Sequence, residues 1–244
     1  MTFNEIQSDN RIPLVEIEFD NSMAVVGTPA PHQRVLMFGQ ANLKDGKVDG
    51  TGALDTPVRI TRDAQAVSLF GRGSMLAWMV REFIAINPDT ELYVIAQGAG
   101  TGNADAGSLT LSGTATGDGV LSVYVGGRRY QVAVVSGQKG KALADRLAAL
   151  INADRDAPFT AVSAAPAGAD VGADASVVSL TARFISECAA HDIRLNYYDG
   201  ETTPDGLTVV ITPPAAKAAN PDITRSVANM GERQYNYVVM PYKD

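Results

Sequence analysis

Three segments of this chain read as strands covered on both faces, with helices between them. Arg34-Val-Leu-Met-Phe-Gly39 is a continuous apolar run ending in glycine, and Glu91-Leu-Tyr-Val-Ile-Ala96 is a second. A strand with one wet face alternates apolar and polar residues, so an unbroken run signals a strand sandwiched between layers, as in parallel sheets. After the first run, Thr56-Pro-Val-Arg-Ile60 reads as a short edge segment. Thr61 is placed to cap a short helix that Gly71 stops after Phe70, and Ser74 caps a second from Met75 to Ile86, ended by Pro88. That second helix is clearly polar only at Arg81 and Glu82, which predicts deep burial. Strand, helices and strand make a crossover unit, which calls for parallel pairing and a right-handed connection. Asn220-Pro-Asp222 opens a further helix running through Met230 to Gly231, and Tyr235 to Pro241 follows as the third run. The fold expected is therefore α/β, with a partial parallel-type core built from strands at about 34–39, 91–96 and 235–241 and their crossover helices. Core-type residues in the last strand lead us to expect a piece of a larger protein, in which that strand completes a sheet begun much earlier.

Between the second and third runs the sequence changes character. Gln97 to Gly107 is a Gly- and Ala-rich connector, followed by short strands at 108–113, 120–125 and 128–135. Gly126-Gly127 joins the last two as a two-residue hairpin, with Tyr124 and Tyr130 placed to pair across it. Gly140 to Asn152 is a helix with Leu143, Leu147, Leu150 and Ile151 on one stripe, opposite Lys141, Asp145 and Arg146. Further strands fall at 159–164, 177–184, 193–198 and 207–212, and Pro213 to Asn220 forms a second connector. The expected organisation is a discontinuous, incomplete α/β core at 25–107 plus 213–244, carrying an inserted mainly-β domain at 108–212 with one helix. Flexible connectors at both ends would let that domain face outward. Residues 1–24 form an extended arm in which Val15, Ile17 and Phe19 alternate with acidic residues and have no nearby partner strand. The alternation suits either an edge strand of the chain's own sheet or an arm that adds a strand to a neighbouring subunit.

Charge and composition narrow the function. With 45% hydrophobic and 19% charged residues the chain is globular, and its net charge of −7 disfavours grasping nucleic acid through phosphates. Cys188 is the only cysteine, so no disulfide forms within the chain. No apolar run approaches the roughly 20 residues that span a bilayer, and Met1-Thr-Phe-Asn-Glu lacks a signal-peptide pattern, so a soluble protein made in the cytoplasm is expected.

Catalytic patterns are scarce. His32 and His191 are the only histidines, and neither sits in a motif. Ser74 fails the nucleophile-elbow spacing and is better explained as a helix cap. Gly98-Ala-Gly-Thr-Gly102 is followed by a strand, so it offers a bound phosphate no helix N-terminus and reads as a linker. Asp199-Gly-Glu-Thr-Thr-Pro-Asp205 does not match an EF-hand loop, and Cys188 has no flanking cation or second thiol. No catalytic, cofactor-binding or metal residues are assigned. A structural part rather than an enzyme is the expected role.

The order of motifs resembles the tail sheath proteins of Mu-like contractile-tailed bacteriophages. The similar stretches are Ile12-Pro-Leu-Val-Glu-Ile-Glu-Phe-Asp-Asn21, Arg34-Val-Leu-Met-Phe-Gly-Gln40, Leu69-Phe-Gly-Arg-Gly-Ser-Met-Leu76, Gly126-Gly-Arg-Arg-Tyr-Gln-Val132, Arg194-Leu-Asn-Tyr-Tyr198 and Asn220-Pro-Asp-Ile223 through Gln234-Tyr-Asn-Tyr-Val-Val-Met-Pro-Tyr242. The resemblance implies a sheath subunit that stacks in rings around a tail tube and contracts to drive the tube through the host envelope. It implies partners in further sheath copies, the tube protein, and baseplate and tail terminator proteins, with no nucleic acid, membrane or cofactor. Family members run well beyond this length, and Cys188-Ala-Ala-His191 stands where they tend to have a Gly- and Asn-rich turn. Two other readings stay open: a β-domain adhesin or receptor-binding module built on 108–212, and an α/β hydrolase.

Overall fold

A computed structural model describes residues 33–165, 175–189, 191–215 and 218–242. Val15, Ile17 and Phe19 of the expected arm, and His32, lie outside these residues. In chain order, β1 (Arg34–Gln40) leads through a small hairpin, β2 (Leu43–Lys44) and β3 (Lys47–Val48), to β4 (Pro57–Ile60). Helices α1 (Asp63–Phe70) and α2 (Met75–Ile86) precede β5 (Glu91–Gln97). Then come β6 (Ala106–Gly113), β7 (Gly119–Val125), β8 (Arg128–Val134), α3 (Gly140–Ala153), β9 (Phe159–Ala164) and β10 (Ser176–Ala182). A single 3-10 turn, Glu187–Ala189, is followed by β11 (Ile193–Leu195), β12 (Leu207–Thr212), α4 (Thr224–Ala228) and β13 (Tyr237–Val239).

The unbroken apolar runs sit at the centre of a mixed sheet ordered β13-β1-β5-β4. β1 pairs in parallel with both β5 and β13, while β4 closes the far edge antiparallel to β5. Successive side chains of a strand point to opposite faces. Val35, Met37, Leu92 and Val94 therefore pack under α1 and α2 against Phe70, Leu76 and Val80, while Leu36, Phe38, Tyr93 and Ile95 form the opposite face against Met230 and Tyr235. With both faces occupied, charged and amide side chains fall only at the strand ends, at Arg34 and Gln40 in β1 and at Glu91 and Gln97 in β5. This is the α/β arrangement that the apolar runs demand.

Several local expectations shift. Arg62, not Thr61, occupies the cap position of α1, and no side chain caps that helix. Ser74 does cap α2, its Oγ accepting from the Ala77 N–H at 3.1 Å. Deep burial of α2 holds for Leu76, Ala77 and Val80, but its far end surfaces, and Ile86 is 78% exposed. α4 and β13 are shorter than their patterns: Tyr235 packs edge-on against Tyr93, with ring centroids 5.7 Å apart, and Pro241 has no N–H for a ladder. The polar loop after β1 holds the β2–β3 hairpin, which the sequence reading missed.

Between β5 and α4 the chain builds two antiparallel sheets, β12-β6-β10-β9 and β11-β7-β8. Their inner faces and α3 share one apolar core that includes Leu109, Leu121, Val123, Leu143, Leu147 and Phe159. Three of the four residues on the expected α3 stripe, Leu143, Leu147 and Ile151, are fully buried, but Leu150 is 42% exposed. Gly126 and Gly127 take φ of 58° and 78°, as the tight turn between β7 and β8 requires. The register sets Tyr130 opposite Val123 and Tyr124 opposite Arg129. The two tyrosines are thus on opposite faces of the hairpin and do not pair across it.

Residues 33–244 form one compact unit, and the connectors between its sheets are tied down rather than loose. Thr101 and Ala219 exchange two backbone hydrogen bonds, at 3.2 and 2.8 Å. The Gly100 N–H and the Gln40 amide both donate to the Ile185 carbonyl at 2.8 Å. Gly100 is at a point of close approach, because a Cβ there would lie 2.0 Å from the Ala219 oxygen. Ion pairs continue the seam: Asp156 lies 3.5 Å from Arg72 and 3.8 Å from both Arg81 and Arg128. The expected flexibility of the two connectors is not what this packing provides.

Candidate interaction surface

The residues that could have carried chemistry are occupied by structural work. Ser74 is committed to its cap. The glycines at 98–102 lead into β6, with Gly100 locked in the seam, so no helix end presents donors to a phosphate. His191 packs edge-on to Phe159, with ring centroids 6.0 Å apart, and burial pulls its imidazole below the ordinary histidine range. Cys188 is half-buried, its Sγ 3.0 Å from the Ser186 hydroxyl.

The acidic loop is tied to the sheet. Glu201 accepts from the Tyr124 hydroxyl at 2.7 and 2.8 Å, from Arg129 at 2.5 Å and from the Tyr198 N–H at 3.2 Å. Burial and the Glu201 carboxylate push the Tyr124 hydroxyl up to about 12. Tyr197 and Tyr198 gather around Tyr124 with centroids 5.7 Å away, and Arg194 and Arg129 lie over their rings. Among the described residues no group of His, Cys, Asp and Glu is arranged to hold a metal, and no helix is long and apolar enough to cross a membrane.

The mixed sheet offers a different kind of site. At its β13 edge the layers that cover β1 and β5 stop. Tyr237, Val238 and Val239 are 56, 52 and 37% exposed, although Leu36, the partner of Val238 in β1, is fully buried. β13 is nonetheless held firmly on its inner side. The Asn236 N–H donates to the Arg34 carbonyl, and the Arg34 N–H donates to the Asn236 side chain, both at 2.9 Å. Arg34 in turn pairs with Glu91 at 2.7 Å, and Arg233 lies 5.1 Å over the Tyr93 ring. Since strand groups alternate in direction, the N–H groups of Tyr237 and Val239 point away from β1. An apolar strand with a free backbone edge is a template for another strand.

α4 is tied to Asp55, in the loop before β4. Asp222 accepts from the Thr224 N–H at 2.9 Å, which starts the helix, and Ser226 donates to Asp55 at 2.6 Å. Asn229 donates to the Asp55 carbonyl at 2.7 Å. The sequence marked 235–241 as a core strand but had no means of showing that its outer edge would lie open.

Residues 100–208 match the family described as the phage tail sheath protein beta-sandwich domain. The whole chain is similar to the Mu-like prophage FluMu tail sheath protein of Haemophilus influenzae, with 38% identity over 246 aligned positions. The match takes in 100% of this chain and 47% of that relative, so the chain spans about half the relative's length.

Proposed function

This chain belongs to the tail sheath family of Mu-like phages, and from that membership we propose that it is a structural subunit of a contractile tail sheath. In this reading copies polymerise around the tail tube and contract to drive the tube through the host envelope. Its partners are further sheath copies, the tube protein, and the baseplate and terminator proteins at the two ends. Its place is the virion tail, after synthesis in the bacterial cytoplasm. It works without catalysis.

The match of residues 100–208 to the sheath beta-sandwich family, with 38% identity to a tail sheath protein along the whole chain, is the observation that carries this reading. The apolar edge of β13, exposed among the described residues, is a surface that a further strand would cover, whether from the rest of the protein or from a neighbouring subunit. Contraction without nucleotide hydrolysis must draw on energy stored at assembly. New contact between subunits supplies it at roughly 25 cal/mol per Å² of apolar surface, less the costs of association. On the same reading residues 108–212 form an inserted, outward-facing β domain, and 1–24 an arm in which Val15, Ile17 and Phe19 add a strand to a neighbour.

Immuno-electron microscopy of phage particles with an antibody to the Asp199–Asp205 loop tests the assignment. Labelling along the whole tail, on extended and contracted tails alike, is the expected result. Labelling confined to fibres at the baseplate would overturn it in favour of an adhesin.

A further inference from the structure

The motif Arg194-Leu-Asn-Tyr-Tyr198 has no part in the β13 edge. It leads the chain out of β11 into a loop that folds back over the β11-β7-β8 sheet, on the side away from the apolar core. Asn196 takes a φ of 50°, and Gly200 and Gly206 a φ of 82°, which turns the loop sharply at each of these points. The Asn196 N–H donates to the Ser122 carbonyl at 3.1 Å, and its side-chain amide donates to the Thr203 hydroxyl at 2.9 Å. Pro204 closes the far end on Gly119, where an added Cβ would lie 3.0 Å from the proline ring.

Between this loop and β8 lies a cavity of about 310 Å³. Small-molecule sites run from roughly 300 to 1,000 Å³, so it suits a small ligand. Its walls are polar and partly unused. Gln131 donates to the Ser122 hydroxyl at 3.3 Å and keeps its amide oxygen free. The Thr202 hydroxyl and the Asp205 carboxylate have no partner among the described residues. Asp118, Glu201 and Asp205 set three carboxylates against the one guanidinium of Arg129, which disfavours an anion. The carboxylates are not arranged to hold a metal. The chemistry that remains is an uncharged ligand that donates hydrogen bonds.

An aromatic shelf adjoins the cavity. Glu201, on its wall, accepts from the Tyr124 hydroxyl, and Arg129 lies 5.9 Å over the Tyr198 ring. Tyr197 and Tyr198 are 56 and 58% exposed. Aromatic faces are electron-rich and attract the C–H face of a sugar ring. We propose that the cavity and shelf form a binding site for a neutral saccharide. Tyr197 and Tyr198 stack on its C–H face, while Asp205, Thr202 and the Gln131 oxygen accept from its hydroxyls. The site belongs to the antiparallel region alone and does not depend on the sheath role.

Titration of the intact, isotope-labelled chain with maltose, lactose and the disaccharide of N-acetylglucosamine tests this by amide chemical shifts. At least one should bind saturably at about millimolar Kd, as expected for a small open site, with shifts confined to residues 117–131 and 197–205. Tyr198→Ala and Asp205→Ala should each weaken binding about tenfold with melting temperature unchanged. Glucose 6-phosphate, the anionic control, should bind more weakly than the neutral sugars. No saturable binding by any of the three would overturn the proposal, as would shifts elsewhere, undiminished binding by the variants or a preference for the phosphate. Tail labelling has no bearing on these outcomes.

Discussion

His191 shows how a residue type associated with catalysis can serve packing alone. Its ring is half-buried edge-on against Phe159, and that partial burial depresses its proton affinity. Linkage fixes the sign of the consequence. The unfolded chain takes up a proton near the usual histidine value of about 6.5, while the folded chain resists it to lower pH. Stability is therefore full above that value and falls as pH drops below it. His191→Phe should remove this component, so melting curves of wild type and variant should diverge between about pH 6.5 and 5, with wild type losing more. Parallel curves would show that folding does not shelter the His191 ring from protonation. Glu201 teaches the same lesson, since its partners Tyr124, Arg129 and Tyr198 leave it anchoring a loop rather than holding an ion. Neither role was legible in the sequence, because both depend on partners tens of residues distant.

Elements with a strong period were legible. The α3 stripe at Leu143, Leu147 and Ile151 marked the core of the antiparallel region, and all three are fully buried. Leu147→Ala should cost about 2–5 kcal/mol, the usual range for such a truncation in a packed interior. In a domain of this size each kcal/mol moves the melting temperature by about 2–4 °C, so calorimetry should show a fall of about 4–20 °C. A loss under 1 °C would mean that α3 is not central to folding. The unbroken runs of β1 and β5 gave the sandwiched strands for the same reason, as their residues admit no wet face. Burial of α2 was only half legible. Apolar composition says that a helix wants cover, but not whether its own chain supplies it, and Ile86 remains 78% exposed. The seam was invisible for a related reason: glycines and prolines at 97–107 and 213–220 suggest freedom, and only the Thr101–Ala219 and Gly100–Ile185 bonds reveal how they are held.

At the scale of the molecule, most of the apolar surface is resolved inward and a small part is left open. β13 is pinned to β1 by Asn236 and Arg34, yet it presents Tyr237, Val238 and Val239 to solvent with outward N–H groups. That edge suits a protein whose work is contact with others, as in the sheath family to which the chain belongs. Hydrogen–deuterium exchange at the Tyr237 and Val239 amides, compared between free chain and assembled tails, tests this most directly. Those amides should exchange rapidly in the free chain and become strongly protected in the tail. Equal, fast exchange in both states would contradict the claim that β13 is completed by assembly.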